Sequence, residues 1–167
     1  MRDIDLAYMA GLMDGEAYIG IKRTKPYKKL TGRVNPGYHE RIQIRMTDEP
    51  AIRFIAESLG GWYYAEKPSV AKGKILYCYQ ASDKKASKIL QALLPYFRVK
   101  QEQAQAVLRL RQHKELPRSE TMVLLPCMVR NRWGKTVPVG RRRFSEESVA
   151  YRESLYQRCK ELNKTGV

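Results

Sequence analysis

The segment from Tyr38 to Met46, YHERIQIRM, limits the possible folds more than any other part of the sequence. Three apolar residues alternate in it with three polar ones, namely Ile42, Ile44 and Met46 with Arg41, Gln43 and Arg45. Period-two alternation is typical of a β-strand whose sheet has one face packed on the core and the other in solvent. The segment therefore predicts a sheet that is covered on one side and basic on the other.

The elements around this strand alternate between single helices and pairs of strands. The predicted order is a helix over about Ile4 to Met13 capped by Asp3, strands Tyr18 to Lys25 and Tyr38 to Met46, a helix capped by Thr47 and stopped by Gly60, strands Gly61 to Lys67 and Ile75 to Ala81, a helix from Ser82 to about Leu94, and helices Lys100 to His113 and Glu146 to Leu162. Two hairpins in one sheet give four antiparallel strands with helices on one face. The prediction is an α+β fold in a single domain, residues 1–167, with its core at about 4–113 and a C-terminal part at 114–167.

The charge of the chain points to a polyanionic partner. Thirty-two Lys and Arg face seventeen Asp and Glu, which gives a net charge of +15. DNA or RNA suits this charge better than an anionic membrane, because the basic residues are spread over many segments and not gathered on one amphipathic helix. The candidate DNA contacts on the open sheet face are Lys22, Thr24, His39, Arg41, Gln43, Arg45, Lys67 and Gln80. The alternative is a basic face that is merely solvated.

Several other classes of protein do not fit. The three cysteines are odd in number and far apart, and neither histidine lies near one, so a zinc site or a disulfide framework is not expected. Cysteine usage of this kind suits a reducing intracellular compartment, the cytoplasm or nucleoid of a prokaryote or an organelle. No apolar run of membrane-spanning length and no signal-peptide core is present, so a membrane role is not expected.

The stretch MAGLMDGEA, residues 9–17, resembles the nine-residue signature of the LAGLIDADG homing endonucleases. Asp14 and Glu16 match the two acids of the signature, and Ala17 departs from its final glycine. The segment LPYFRVKQEQAQAVL, residues 94–108, looks like the family segment that brings a basic residue to the active site. The resemblance covers roughly residues 4 to 113, implies an αββαββα core and includes one signature motif, which is typical of the homodimeric class.

The resemblance also implies what the signature helix does. Two such helices pack along the two-fold axis of the dimer, and the small residues Ala7, Ala10 and Gly11 would let their backbones approach closely, as small residues do elsewhere. Asp14 would help to cap the neighbouring signature helix. The implied partners are a second copy of the chain and double-stranded DNA.

The implied chemistry is metal-dependent hydrolysis of a phosphodiester in a long, pseudo-palindromic DNA target. Glu16 and the backbone carbonyl of Gly15 would be ligands of Mg²⁺, and Lys100 would stabilise developing negative charge or position a water. Mn²⁺ is expected to substitute for Mg²⁺, and Ca²⁺ to support binding without cleavage. Many relatives place a glutamine near the end of the second strand, where this chain has Met46, and a methionine cannot order water.

Two questions stay open at the level of sequence. The basic stretch from Arg130 to Phe144 is either an arm that follows the phosphate backbone or a solvated loop. A catalytically idle relative that acts as an intron maturase, with RNA as partner, or as a DNA-binding regulator is the alternative to an endonuclease. A basic ribosomal or RNA-chaperone protein is a third class, but it would not need the Ala-Gly-Leu and acidic pattern.

Overall fold

The computed structural model describes residues 1–26, 28–29, 32–33, 35–68 and 73–164. Its α-helices are α1 (Asp3–Glu16), α2 (Glu49–Leu59), α3 (Asp83–Leu93), α4 (Gln101–Glu115), α5 (Arg118–Thr121) and α6 (Glu146–Leu162), with a 3₁₀ turn at Leu94–Tyr96. Its strands are β1 (Ala17–Thr24), β2 (Lys28–Lys29), β3 (Gly32–Arg33), β4 (Gly37–Met46), β5 (Tyr63–Glu66), β6 (Leu76–Ser82), β7 (Met122–Arg130) and β8 (Thr136–Phe144). No described helix is long and apolar enough to cross a membrane.

Four of the strands form an antiparallel sheet in the order β1-β4-β6-β5. The alternation in β4 works as predicted, because Ile42 and Ile44 are fully buried while Arg41 and Gln43 lie on the other face. The buried side packs against helices α1 to α4 in one apolar core. The predicted α+β fold is therefore confirmed.

Helix α6 covers the outer edge of the sheet. It runs beside β1, and Asn163 just after its end donates from Nδ2 to the carbonyl of Ile19 at 2.9 Å. Glu153 of the same helix pairs with Arg23 at 2.9 Å. An uncovered edge strand invites pairing with another chain, so the C-terminal helix closes a side of the sheet that would otherwise be open.

A buried charge cluster joins the sheet to α4. Glu40 faces the helices from β4 and is fully buried, and its carboxylate contacts Arg111 at 3.0 Å and Lys114 at 2.6 Å. Lys114 also reaches Asp83 at 3.3 Å. A buried charge without partners is very costly, so these two bases are what allow an acid on the core side of the strand.

The structure corrects three local predictions. Helix α1 does not stop at Met13 but continues through both acids, and Arg2 rather than Asp3 is its N-cap. The cap of α2 is Asp48, whose Oδ1 accepts from the Ala51 N–H at 3.0 Å, and not Thr47. An N-cap is decided by which side chain reaches the free N–H groups, and adjacent Thr and Asp compete for that place.

The stretch that the sequence left open, 130–144, is part of a second β-structure. Strands β7 and β8 pair along their whole length, from Met122 opposite Phe144 to Arg130 opposite Thr136. They form a two-stranded ribbon that is separate from the main sheet. The sequence left this stretch open between an arm and a solvated loop, and the structure forms it as paired strands.

Candidate functional site

The signature helix ends where the sheet begins. Met9, Ala10 and Met13 are fully buried and hold α1 against the core, and Glu16, its last residue, is followed directly by Ala17 of β1. Gly15 and Glu16 are exposed at this junction. The helix therefore presents a carboxylate at the surface, at the end of the edge strand.

Asp14 acts within its own chain. Its two carboxylate oxygens accept from the backbone N–H groups of Arg98, at 2.7 Å, and Lys100, at 2.9 Å. Lys100 is the N-cap residue of α4, so Asp14 fixes the approach to that helix. Each oxygen has a second lone pair, so these intramolecular bonds leave room for the contact with a neighbouring signature helix, which stays a prediction.

The same contact places Lys100 beside the acids. Its Nζ donates to the carbonyl of Met13 at 3.1 Å. Burial lowers the pKa of Lys100, and the negative charges of Asp14 and Glu16 partly offset that shift. Glu16 and Lys100 line the same cleft, which has a volume of about 380 Å³. Its lining also includes Gly15, Tyr18, Glu102 and Gln103. The structure thus places Glu16 and Lys100, the two predicted catalytic residues, in one cleft with Gly15, the other predicted metal ligand.

Glu16 is available to bind a ligand. Its carboxylate is exposed and makes no hydrogen bond or ion pair with the described part of the chain, unlike Asp14. Among the described residues there is also no cluster of three or more His, Cys, Asp or Glu that could hold a metal ion. A cation at Glu16 would therefore be completed by other oxygen ligands, such as backbone carbonyls, waters or phosphate oxygens.

One side of α1 is apolar, made of small residues in part, and uncovered. Ile4 is 70% exposed and Tyr8 is 52% exposed. The small residues Ala7 and Gly11 of the same helix are exposed as well. A Cβ added at Gly11 would meet no atom within 4 Å. Ala10 is not part of this strip, because it is fully buried in the chain's own core. The prediction that Ala10 faces another helix is therefore wrong.

The open face of the sheet carries a connected polar group at its centre. Arg41 donates from Nη2 to Oε1 of Gln43 at 3.0 Å and to Oε1 of Gln80 at 3.4 Å. Gln43 in turn donates to Sγ of Cys78 at 3.3 Å. Long side chains that are held in this way lose less conformational entropy when they bind a ligand.

The other predicted contacts lie around this centre. Lys22 is exposed, Arg45 pairs with Glu66 at 3.1 Å, His39 contacts Asp83 at 3.1 Å, and Thr24 accepts the N–H of Gly37 at 3.0 Å. Lys67 follows the last residue of β5, so the strand pairing does not place it on the face. The face as a whole offers both donors and acceptors.

Sequence reasoning missed two aromatic residues on this face. Tyr64 pairs with Cys78 across the strands and so lies on the open side, and Trp62, 67% exposed, contacts its ring at a centroid distance of 5.5 Å. Tyr79 is fully buried, as expected for a core tyrosine. Adjacent residues of a strand point to opposite faces of the sheet, so a core position for Tyr63 already implies that Tyr64 lies on the open face.

Met46 cannot take the place of an active-site glutamine. It lies on the helix side of β4 and packs against the core. Its neighbours are engaged as well, since Arg45 pairs with Glu66 and Asp48 caps α2. Thr47, the remaining neighbour, is exposed and carries a hydroxyl group that can bind water.

Solved structures with the same fold are complexes of DNA with homing endonucleases. I-CvuI in complex with the I-CreI target has a TM-score of 0.60 at 18% identity, over 96% of this chain and 82% of that one. The archaeal intron-encoded I-Vdi141I, complexed with DNA, has a TM-score of 0.64 at 13% identity, over 96% and 84%. The LAGLIDADG homing endonuclease I-LtrWI, bound to target DNA, has a TM-score of 0.52 at 18% identity, over 68% and 39%.

No protein-family profile matches the sequence, and no curated protein matches it either. At such low identity, the structural likeness establishes a shared fold.

Proposed function

We propose that this chain, which has the fold of the LAGLIDADG homing endonucleases, is a homodimeric, divalent-metal-dependent, site-specific endonuclease of double-stranded DNA. One observation carries the proposal. Glu16, an exposed carboxylate without a hydrogen-bond or ion-pair partner among the described residues, lies in one cleft with the partly buried Lys100 at the end of a basic, open sheet. The three solved structures described above, which share this fold, are complexes with DNA.

The exposed strip on α1 supports the dimer. Ile4 and Tyr8 are large apolar side chains in contact with solvent, and Gly11 leaves room for another backbone to come close. If two copies pair along this strip, the helices end together and deliver one Glu16 each to the same place. The partner would thereby supply a second Glu16 carboxylate at the same place.

The donors at the helix end fit a hard divalent cation. Glu16 and the carbonyl of Gly15 would hold it, and both residues are exposed in this structure. Mg²⁺ prefers oxygen ligands and keeps several waters, so a site with few protein ligands suits it. When bound, the cation supplies an activated water and neutralises charge on the scissile phosphate. Mn²⁺ should substitute, and Ca²⁺ should allow binding without cleavage.

The chain's own residues position the substrate. The Lys100 ammonium is held at the Met13 carbonyl and can donate to a phosphate oxygen, where it stabilises the charge that develops as the bond breaks. Arg41 and Gln43 suit the edges of guanine and adenine in the major groove, and Lys22 suits phosphate oxygens at its rim. Recognition by the sheet thus fixes which phosphate lies at Glu16.

The test compares two acids of the same cleft. Glu16→Gln removes a charge and a metal ligand, whereas Glu102→Gln removes the same charge from a carboxylate that pairs with Arg158 at 2.6 Å. Duplexes selected from a randomised pool by binding in Ca²⁺ serve as substrates in Mg²⁺. We expect Glu16→Gln to lose cleavage by several orders of magnitude and to keep its affinity, while Glu102→Gln still cuts.

Each other outcome has a definite meaning. If Glu16→Gln cuts at the wild-type rate, the assignment of this carboxylate is wrong. If the wild-type protein binds its selected duplex but cuts it in neither Mg²⁺ nor Mn²⁺, the protein is a binding protein of the regulator or maturase kind. Binding to structured RNA in preference to duplex DNA would point to the maturase.

A further inference from the structure

The ribbon of β7 and β8 has no part in the site described above. Within residues 122–144, no described side chain belongs to the buried core. The ribbon joins the body at its base, where Ser145 N–H donates to the Thr121 carbonyl at 3.0 Å and the Arg152 guanidinium lies 3.9 Å from the Phe144 ring centroid. A paired ribbon that lies outside the core in this way is available to a partner.

The charge of the ribbon is of one sign. Residues 122–144 contain six Arg and Lys and no Asp or Glu. The equally basic ribbon of a second copy would be repelled, whereas a phosphate backbone would be attracted. Pairing with another protein through strand addition is also disfavoured, because Pro126 in β7 and Pro138 in β8 have no N–H to offer.

The turn at the tip of the ribbon exposes the side chains of Arg132 and Trp133. Oδ1 of Asn131 accepts from the N–H groups of Trp133 and Lys135, both at 3.0 Å, and Gly134 has the positive φ of 75° that closes the turn. Arg132 stacks on the Trp133 ring at 4.2 Å. Trp133 is nevertheless 69% exposed. A cation on an exposed indole in a fixed turn is suited to a sugar-phosphate surface.

The base of the ribbon lies far from the proposed cleavage site. Asn35, just before β4, donates from Nδ2 to the Phe144 carbonyl at 3.4 Å. That end of the sheet is where Thr24 pairs with Gly37, and Glu16 precedes the other end of β1. The seven residue steps of β1 between them span about 23 Å at about 3.3 Å per residue.

We propose that the β7–β8 ribbon is a second DNA-binding element, which holds the duplex backbone beyond the stretch that the sheet covers, with Arg132, Trp133 and Lys135 as its contacts. This proposal rests on the proposed function. The ribbon adds affinity that depends on phosphate and little on sequence, so it lengthens the bound segment without adding a second site of base recognition.

The experiment measures affinity for a 40-base-pair duplex in Ca²⁺ over a range of salt concentrations. Arg132→Ala/Lys135→Ala should reduce the slope of log K against log salt by about 1.8, since each lost phosphate contact contributes about 0.9. Trp133→Ala should weaken binding about tenfold with little change in the slope, because it removes the ring on which Arg132 stacks but removes no charge. Circular dichroism confirms that these tip variants keep the fold.

A matched control separates contact from overall charge. Lys84 and Lys88 are exposed on α3, on the helix side of the sheet, so Lys84→Ala/Lys88→Ala removes the same charge without changing the slope. The proposal is overturned if Arg132→Ala/Lys135→Ala has the same salt slope as the wild type. It is also overturned if the α3 control lowers the slope by as much as the tip variant does. A tip variant that alters dimerisation or RNA binding but not DNA binding would overturn it as well. Failure of the wild type to bind any duplex would instead overturn the proposed function itself.

Discussion

The carboxylate of Asp14 is expected to be a major contributor to stability, and Asp14→Asn tests this. In the structure its two oxygens accept backbone N–H groups of Arg98 and Lys100 at 2.7 and 2.9 Å. Asparagine keeps one acceptor and turns an NH₂ group towards the other N–H. The variant therefore loses one charge-assisted hydrogen bond, weakens the second and leaves a donor facing a donor.

The expected loss follows from these contacts. Hydrogen bonds to charged groups contribute about 1.5–3 kcal/mol, and the bond to Arg98 lies at the surface, so a total loss of about 2–3 kcal/mol is expected. For a chain of this size that lowers the Tm by about 4–12 °C. Because Lys100 would also shift away from the Met13 carbonyl, cleavage should fall together with stability.

Urea and thermal unfolding of Asp14→Asn, measured beside Asp48→Ala, check the argument. Asp48 makes one exposed cap contact, to the Ala51 N–H, so its loss should cost only about 1 kcal/mol. The reasoning fails if Asp14→Asn is as stable as the wild type, or no less stable than Asp48→Ala. If Asp14→Asn keeps the wild-type Tm but no longer dimerises, Asp14 acts mainly by capping the neighbouring signature helix, as the sequence predicts.

Three further predictions concern the helix face, the buried cluster and a histidine. Gly11→Leu should leave the monomer folded, since the new Cβ meets no atom of its own chain, but should abolish the dimer in light scattering; a stable dimer would exclude this helix face from the interface. Glu40→Gln should lower the free energy of unfolding by about 3–5 kcal/mol in urea, because the buried Arg111 loses its counter-charge and the partly buried Lys114 keeps only Asp83; a change near zero would show that both bases are solvated. Burial, and then the charge of Arg152, lowers the pKa of His113 below its ordinary 6.5. As the pH falls, the unfolded chain therefore takes up a proton before the folded one does, so the free energy of unfolding should decrease below about pH 6.5. His113→Gln should reduce this decrease when urea unfolding is compared at about pH 7.5 and 5.5; the same decrease in the variant and the wild type would contradict the prediction.

Local patterns in the sequence determined the main sheet and the position of its acid. Alternation in β4 separates Ile42 from Arg41 whatever the tertiary context, because successive side chains point to opposite faces of a strand. The signature placed Glu16 at the end of a helix, and that is where it lies. Such features depend on neighbours in the chain, so the sequence contains the information needed to predict them.

Tertiary contacts decided the rest. Asp14 meets Arg98 and Lys100, which are 84 and 86 residues away, and no local pattern shows that its oxygens are used there. Ala7 and Ala10 have the same side chain, yet only the packing of α1 on the core buries one and exposes the other. The β7–β8 ribbon was missed because a ribbon without a core beneath it needs no alternation of apolar and polar residues, which is the signal by which strands are recognised.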